Sequence, residues 1–181
     1  MPNEKIIPTY DIYKKLESDL QLECWTLAET HNPYDSTQPH RHNYYEIFFF
    51  DKSGGEQEID FSVYPVKKNM LHFISPEQVH LLKRKSTVNG FVISFTREFC
   101  CMNGMNELAI DDFPFFNNPY SPPVLQLKKE SERKMTVDLI GKIKSEFHSE
   151  KKDKADILRA YLHVLLIEMR RMFEQGEEKT G

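Results

Sequence analysis

Hydrophobic and polar positions change their period twice along the 181 residues. After an arm at 1–8, the stretch from Thr9 carries Ile12, Tyr13, Leu16 and Leu20 at one-face helical spacing, which predicts a short helix. From Leu20 to Thr30 the period becomes two, with Leu20, Leu22 and Cys24 apolar between polar neighbours. That is a strand with one wet face. Residues 31–39 read as a loop. Aromatic and β-branched runs then predict strands at 44–50, 56–61, 70–74, 79–83 and 90–96. Turn residues separate them at 51–55 and 65–69, and Pro76 stops the third run. Short strands at this spacing describe a sandwich or small barrel.

Beyond Thr96 the pattern is first irregular and then helical. Arg97 to Met105 reads as a helical turn, and 113–123 as an aromatic, proline-rich loop able to cover one end of a barrel. From Lys129 the apolar positions Met135, Leu139, Ile140, Ile143 and Phe147 follow a 3.6 period. A second helix opens at a capping Asp153 or Asp156, and Gly176 sits where a glycine following the helix would. Its apolar positions include Leu158, Leu162, Leu165, Leu166 and Met169, with Val164 and Ile167 widening the face. A face that wide fits either a helix packed wholly within one chain or one shared with a second subunit. Leu158, Leu162, Leu165, Leu166 and Met169 are the candidate dimerisation residues. The expected organisation is an arm and short helix at 1–19, a β-barrel at 20–127, a helical hairpin at 128–176 and a linker at 177–181.

Composition excludes several classes. With 39% hydrophobic residues the chain is globular, and a net charge of -4 gives no basic face for nucleic acid. The Lys and Arg clusters after residue 128 alternate with Glu and Asp, as on solvated helix faces. There is no secretory leader pattern and no apolar run of about 20 residues, so no membrane span is expected. Three cysteines without a CxxC spacing suit a cytoplasmic, reduced protein with buried or inert thiols. No phosphate-binding glycine motif and no nucleophile elbow is present.

The candidate chemistry lies between Pro39 and His80. His40 and His42 fall on one side of a strand, and Glu46, four residues on, shares it. His80 follows at the end of another apolar run, where a barrel returns it to the same place. Such a cluster either fixes the barrel mouth through hydrogen bonds or holds a divalent cation. Three neutral imidazoles and a carboxylate suit Zn, Ni, Fe or Mn, with binding falling below about pH 6. Tyr44, Glu46, Phe48 and Phe73 are candidate walls of a pocket for a sugar or small aromatic ligand, or simply core.

The His40-x-His42-x3-Glu46 spacing and the segment Ser75 to His80 resemble the two sequence motifs of the cupin barrel. More closely, residues 25–100, with "PHRHNYYEIFFF" and "MLHFISPEQVH", resemble the N-terminal sensor domain of AraC-type transcriptional regulators. The helices at 130–175 match the position of that family's dimerisation helices. The resemblance implies a double-stranded β-helix (jelly-roll) barrel followed by an antiparallel helix pair, a small-molecule effector bound in the barrel, and a homodimer. The candidate ligand-binding positions are His40, His42, Tyr44, Glu46, Phe48, Phe73 and His80, and no catalytic activity is expected. The cupin pattern would place metal ligands at His40, His42, Glu46 and His80, although the sensors often keep His-x-His without a metal. DNA would be bound only through a C-terminal helix-turn-helix domain outside these 181 residues. The competing reading is a metal-dependent cupin enzyme of isomerase or dioxygenase type. A stand-alone interaction domain with an empty barrel is a third.

Overall fold

The computed structural model describes residues 7–10, 20–30, 37–101, 110–117 and 120–177. Most of the expected arm, nearly all of the expected first helix and most of the linker lie outside these residues. Ten strands and four helices make up the described fold. The strands are β1 (Thr9–Tyr10), β2 (Leu22–Thr26), β3 (Arg41–His42), β4 (Tyr45–Phe50) and β5 (Gly55–Ile59), then β6 (Ser62–Pro65), β7 (Met70–Ile74), β8 (His80–Arg84), β9 (Gly90–Phe95) and β10 (Val124–Gln126). The helices are α1 (Arg97–Cys101), α2 (Pro114–Asn117), α3 (Glu130–Phe147) and α4 (Lys154–Glu177), with a 3₁₀ turn at Ile110–Asp112.

Among the described residues the strands pair in three separate sheets. A five-stranded antiparallel sheet runs β10-β7-β4-β9-β2, and a three-stranded one runs β6-β5-β8. β1 and β3 pair in parallel, so Thr9 and Tyr10 are extended and not the start of a helix. An antiparallel bridge from His40 to His80 fastens this small element to β8, with reciprocal N–H···O bonds of 3.1 and 2.8 Å.

Side chains divide cleanly between the faces of the five-stranded sheet. Leu22, Cys24, Tyr45, Ile47, Phe49, Leu71, Phe73, Ile93 and Phe95 point outward and share one core with α2, α3 and α4. Phe48, Phe50, Ile74 and Val92 point inward with Ile59 of the opposite sheet and form a second, smaller core. Both faces of the central strands are therefore covered, which explains why β4 is buried at every position. The edge strand β2 follows the same rule. Its Glu23 was expected on a wet face but is 4% exposed, because the strand's inner face looks into the sandwich.

Turn chemistry explains two further departures. Asp60 and Phe61 both take positive φ, 45° and 67°, between the paired Ile59 and Ser62. Two left-handed central residues make a two-residue hairpin, so β5 ends at Ile59 and β6 is a strand in its own right. At Gly90, with φ of 150°, an added Cβ would lie 1.8 Å from the Phe49 carbonyl oxygen, so only glycine lets β9 approach β4 there.

α3 begins where the Glu132 carboxylate accepts the Lys128 and Lys129 backbone N–H groups at 3.0 and 2.9 Å. At the start of α4 the Asp153 carbonyl accepts N–H bonds from Asp156 and Ile157. Gly176 lies inside the last turn of α4, not beyond it. Leu158, Leu162, Leu165, Leu166 and Met169 are each at most 1% exposed and pack within the chain's own core. The positions expected at a subunit seam are thus the inner face of α4, because the five-stranded sheet presents an apolar outer surface for that helix to cover. Its outward face carries Ile157 and Val164, 41% and 46% exposed. The aromatic segment after Phe113 packs on the outer face of the sheet, and its Phe115 and Phe116 also line a groove at the sandwich edge with Ile59 and Tyr64. Phe115 stacks on Phe73 at 4.1 Å and meets Phe173 of α4 at 5.8 Å.

Candidate functional site

Period two along β4 sends Glu46 and Phe48 inward, and register carries the pattern across the sheet. Glu23, Ser94 and Glu46 stand opposite one another on β2, β9 and β4, each at most 6% exposed. The Ser94 hydroxyl donates to Glu46 Oε1 at 3.1 Å. The His40–His80 bridge and β3 bring the histidines to the same interior. One ligand atom from each of His42, Glu46 and His80 lies within 4.8 Å of the others. His40 stands beside this group, its ring 4.4 Å from that of His80 and 6.5 Å from that of His42.

Hydrogen bonds set the tautomers. A backbone carbonyl only accepts, so His42 Nδ1 donates to Tyr44 O at 2.7 Å and His40 Nδ1 donates to Gln38 O at 2.9 Å. A neutral His42 then aims its Nε2 lone pair at Glu46 Oε2, 3.2 Å away. Two acceptors at that distance need a proton or a cation between them. Among the described residues His80 finds no hydrogen-bond partner for either ring nitrogen, and its Nε2 is 3.9 Å from Glu46 Oε2. Burial first, then His42 and His40, hold His80 well below the usual imidazole range, against the opposing pull of Glu46. It is therefore a neutral nitrogen base with a free lone pair.

These donors fit a divalent cation: neutral imidazoles whose outer nitrogen is fixed by a carbonyl, one carboxylate, and a base without a partner. His42, Glu46 and His80 would hold the ion, with His40 adjacent.

The other expected site residues are divided. Tyr44 stacks on His42 with ring centroids 4.0 Å apart, and Phe48 lies 6.4 Å from the His80 ring, so both line the cluster. Phe73 does not, because it occupies the outer face of β7 against Phe115 and Phe116. Its odd offset from His72 decides this: the inward residue on β7 is the histidine. His72 Nδ1 and the Gln57 side-chain amide hydrogen-bond at 2.8 Å across the two sheets, and both residues are fully buried. Burial pushes the His72 imidazole down to about 4, against a smaller upward effect of the Pro65 carbonyl. This pair was missed in the sequence, although a polar residue inside each of two apolar strands was the available signal.

The thiols are unequal. Cys24 and Cys100 are buried and pushed up to about 12 by desolvation, whereas Cys101 is exposed. No described helix is long and apolar enough to cross a membrane.

No protein-family model matches the chain, and no curated protein matches it in sequence. Solved structures with partial likeness include a Photorhabdus luminescens protein, at 18% identity and TM-score 0.31 over 43% of this chain and 78% of that one. A cupin protein from Bacteroides fragilis aligns at 18% identity and TM-score 0.32, over 50% of this chain and 73% of that one. An apo variant of ToxT from Vibrio cholerae aligns at 10% identity and TM-score 0.41 over 87% of this chain, which spans 55% of that structure's length.

Proposed function

We propose that the chain is the ligand-sensing domain of an AraC-type transcriptional regulator, with a cupin-type sandwich that receives a small-molecule effector in its interior. The observation that carries the reading is the convergence of His42, Glu46 and His80 in the interior, beside Ser94 and against the Phe48 wall. Buried polar groups are costly unless they are satisfied, and His80 has no hydrogen-bond partner among the described residues. A sugar or small aromatic compound would meet the His80 nitrogens and the Phe48 wall together. The sequence resemblance adds DNA binding through a C-terminal helix-turn-helix domain and a homodimer, for which the outward Ile157–Val164 face of α4 offers one exposed apolar surface.

The native reading frame beyond Gly181 tests this assignment. A continuation carrying helix-turn-helix patterns and a basic balance is expected. A stop at that point would remove the DNA-reading half and overturn the regulator reading.

A second reading, a metal-dependent cupin enzyme, is favoured by the facing acceptors His42 Nε2 and Glu46 Oε2. There a cation held by His42, Glu46 and His80 would act as a Lewis acid toward a bound substrate. Metal content at about one ion per chain, with turnover of a sugar or dioxygen-dependent substrate, would support it.

A further inference from the structure

A groove of about 690 Å³ opens at the edge of the sandwich, where the β5–β6 hairpin, the turn before β8 and α2 meet. Tyr64, Phe115 and Phe116 give it aromatic surface, while Asp60, Ser62 and Gln78 bring polar atoms. Among the described residues that line it, Asp60 carries the one charge, so no cation is there to hold an anionic ligand. None of His40, His42, Glu46 and His80 lines it, so the groove is a separate place from the histidine cluster.

The polar rim of the groove is fixed from two sides. Left-handed residues stand in both turns, Asp60 and Phe61 with φ of 45° and 67° and Glu77 with φ of 68°. Asp60 N–H donates to Val79 O at 2.8 Å, and Val79 N–H donates to Asp60 Oδ1 at 3.0 Å, so the two turns are bolted together. The Gln78 amide is oriented by Ser75. A backbone N–H only donates, so the atom that Ser75 N–H meets at 2.8 Å is Oε1, and Nε2 then donates to Asp60 Oδ2 at 2.9 Å. Non-glycine residues held at positive φ persist where their surroundings over-determine them, and they concentrate at ligand sites.

A primary amide has two N–H protons, and a carboxylate oxygen has more than one lone pair. The bond between Gln78 and Asp60 uses one of each. What remains, on atoms 2.9 Å apart, is a second Gln78 Nε2–H donor beside an Asp60 Oδ2 acceptor. Asp60 is exposed and Gln78 half-buried, so a ligand in the groove reaches both.

We infer that Asp60 and Gln78 form a recognition site for an uncharged ring bearing two adjacent hydroxyl groups, as in a pyranose or a cyclitol. One hydroxyl donates to Asp60 Oδ2 and its neighbour accepts from Gln78 Nε2. Neighbouring ring carbons hold their oxygens at close to hydrogen-bond separation, which matches the spacing of the two protein atoms. The apolar face of the ring lies against Tyr64 and Phe116. An amine would be drawn to Asp60 but would meet the Gln78 donor beside it, and a wholly apolar ligand would leave both polar atoms unmet. The site does not rest on the sensor reading.

The test is a titration of the ¹⁵N-labelled chain with cis-1,2-cyclohexanediol, followed at the Gln78 side-chain amide and the backbone amides of Asp60 and Val79. Saturable shifts at these groups are expected. cis-1,4-Cyclohexanediol has the same composition but separated hydroxyls, and should bind about tenfold more weakly, the equivalent of one lost hydrogen bond. Asp60→Asn keeps an acceptor for Val79 N–H and a residue type that tolerates positive φ, and should weaken the 1,2-isomer at least about tenfold. If that variant does not fold, the comparison of the two isomers on the unaltered chain decides. Equal affinity for the isomers, an unaltered response in folded Asp60→Asn, or no saturable shift at Gln78 would overturn the site. Shifts confined to His42 and His80 would overturn it too and leave the sensor reading intact. The reading frame beyond Gly181 is independent of all these outcomes.

Discussion

His42 Nε2 lies 3.2 Å from Glu46 Oε2 in the interior of the sandwich, while His42 Nδ1 is tied to the Tyr44 carbonyl. The carbonyl consumes the one proton a neutral imidazole can donate. What fills the 3.2 Å gap therefore decides between a proton-shared pair and a metal centre.

On the metal-dependent reading, chelator-treated chain titrated with Zn, Ni, Fe or Mn should take up about one ion per chain. His80→Ala should weaken that uptake at least about tenfold, as removal of a ligand or its support does. Calorimetry read against metal content measures both. Unchanged affinity in the variant would exclude His80 as a ligand.

His72 makes stability depend on pH in a definite direction. Its native value of about 4 lies below the ordinary imidazole value of 6.5, so the unfolded chain binds a proton first as pH falls. The contribution is complete above pH 6.5 and is lost as pH falls from there toward 4. The loss for this one group is about 3 kcal/mol, at ~1.4 kcal/mol per pH unit. His80, also depressed, acts in the same sense. Urea unfolding at neutral and mildly acidic pH should show the fall, and His72→Phe should make it shallower. An equally steep fall in the variant would contradict the assignment.

The helices offer a contrast between two faces. Leu166 is fully buried in the chain's own core, so Leu166→Ala should cost about 3 kcal/mol whatever the oligomeric state. Ile157→Glu with Val164→Glu alters only exposed positions and should leave the melting temperature within a few degrees. If a homodimer forms through this face, the double variant elutes as a monomer. Gel filtration beside circular dichroism separates the outcomes; a stable dimer of the double variant would place the interface elsewhere.

Gly90→Ala should destabilise the chain by roughly 2–4 kcal/mol or prevent folding, since its Cβ would overlap the Phe49 carbonyl in the middle of the sheet. Chemical denaturation measures it. A neutral substitution would mean that β4 and β9 separate there at no cost.

Much of the architecture was legible because burial enforces period. β7 matches its apolar run residue for residue, and the even spacing of His42, Glu46 and Phe48 placed them together correctly. Where legibility ended, the cause was a contact between distant segments. Nothing local distinguishes Phe73 from Phe48 as pocket or core; that follows from α2 and α4 covering the outer face. The Leu162 and Leu166 stripe is apolar for one neighbour as much as for another, and only the packed sheet shows which. β10 was hidden after two prolines, with only three residues paired to β7. Gln57 and His72 are fifteen residues apart and meet only when two sheets close.

The measurement that bears most directly on the sensor account is thermal denaturation of the chain against a panel of sugars and small aromatic compounds, with Glu46→Gln alongside. At a hundredfold excess over Kd, a true effector adds about 2.7 kcal/mol. That is a rise of roughly 5–10 °C for a chain of this size. The account predicts such a compound, and predicts that its effect largely disappears in Glu46→Gln, whose shape is unchanged but whose carboxylate is gone. A panel without any stabilising compound, or one whose effect is the same in both proteins, would contradict an effector site at His42, Glu46 and His80.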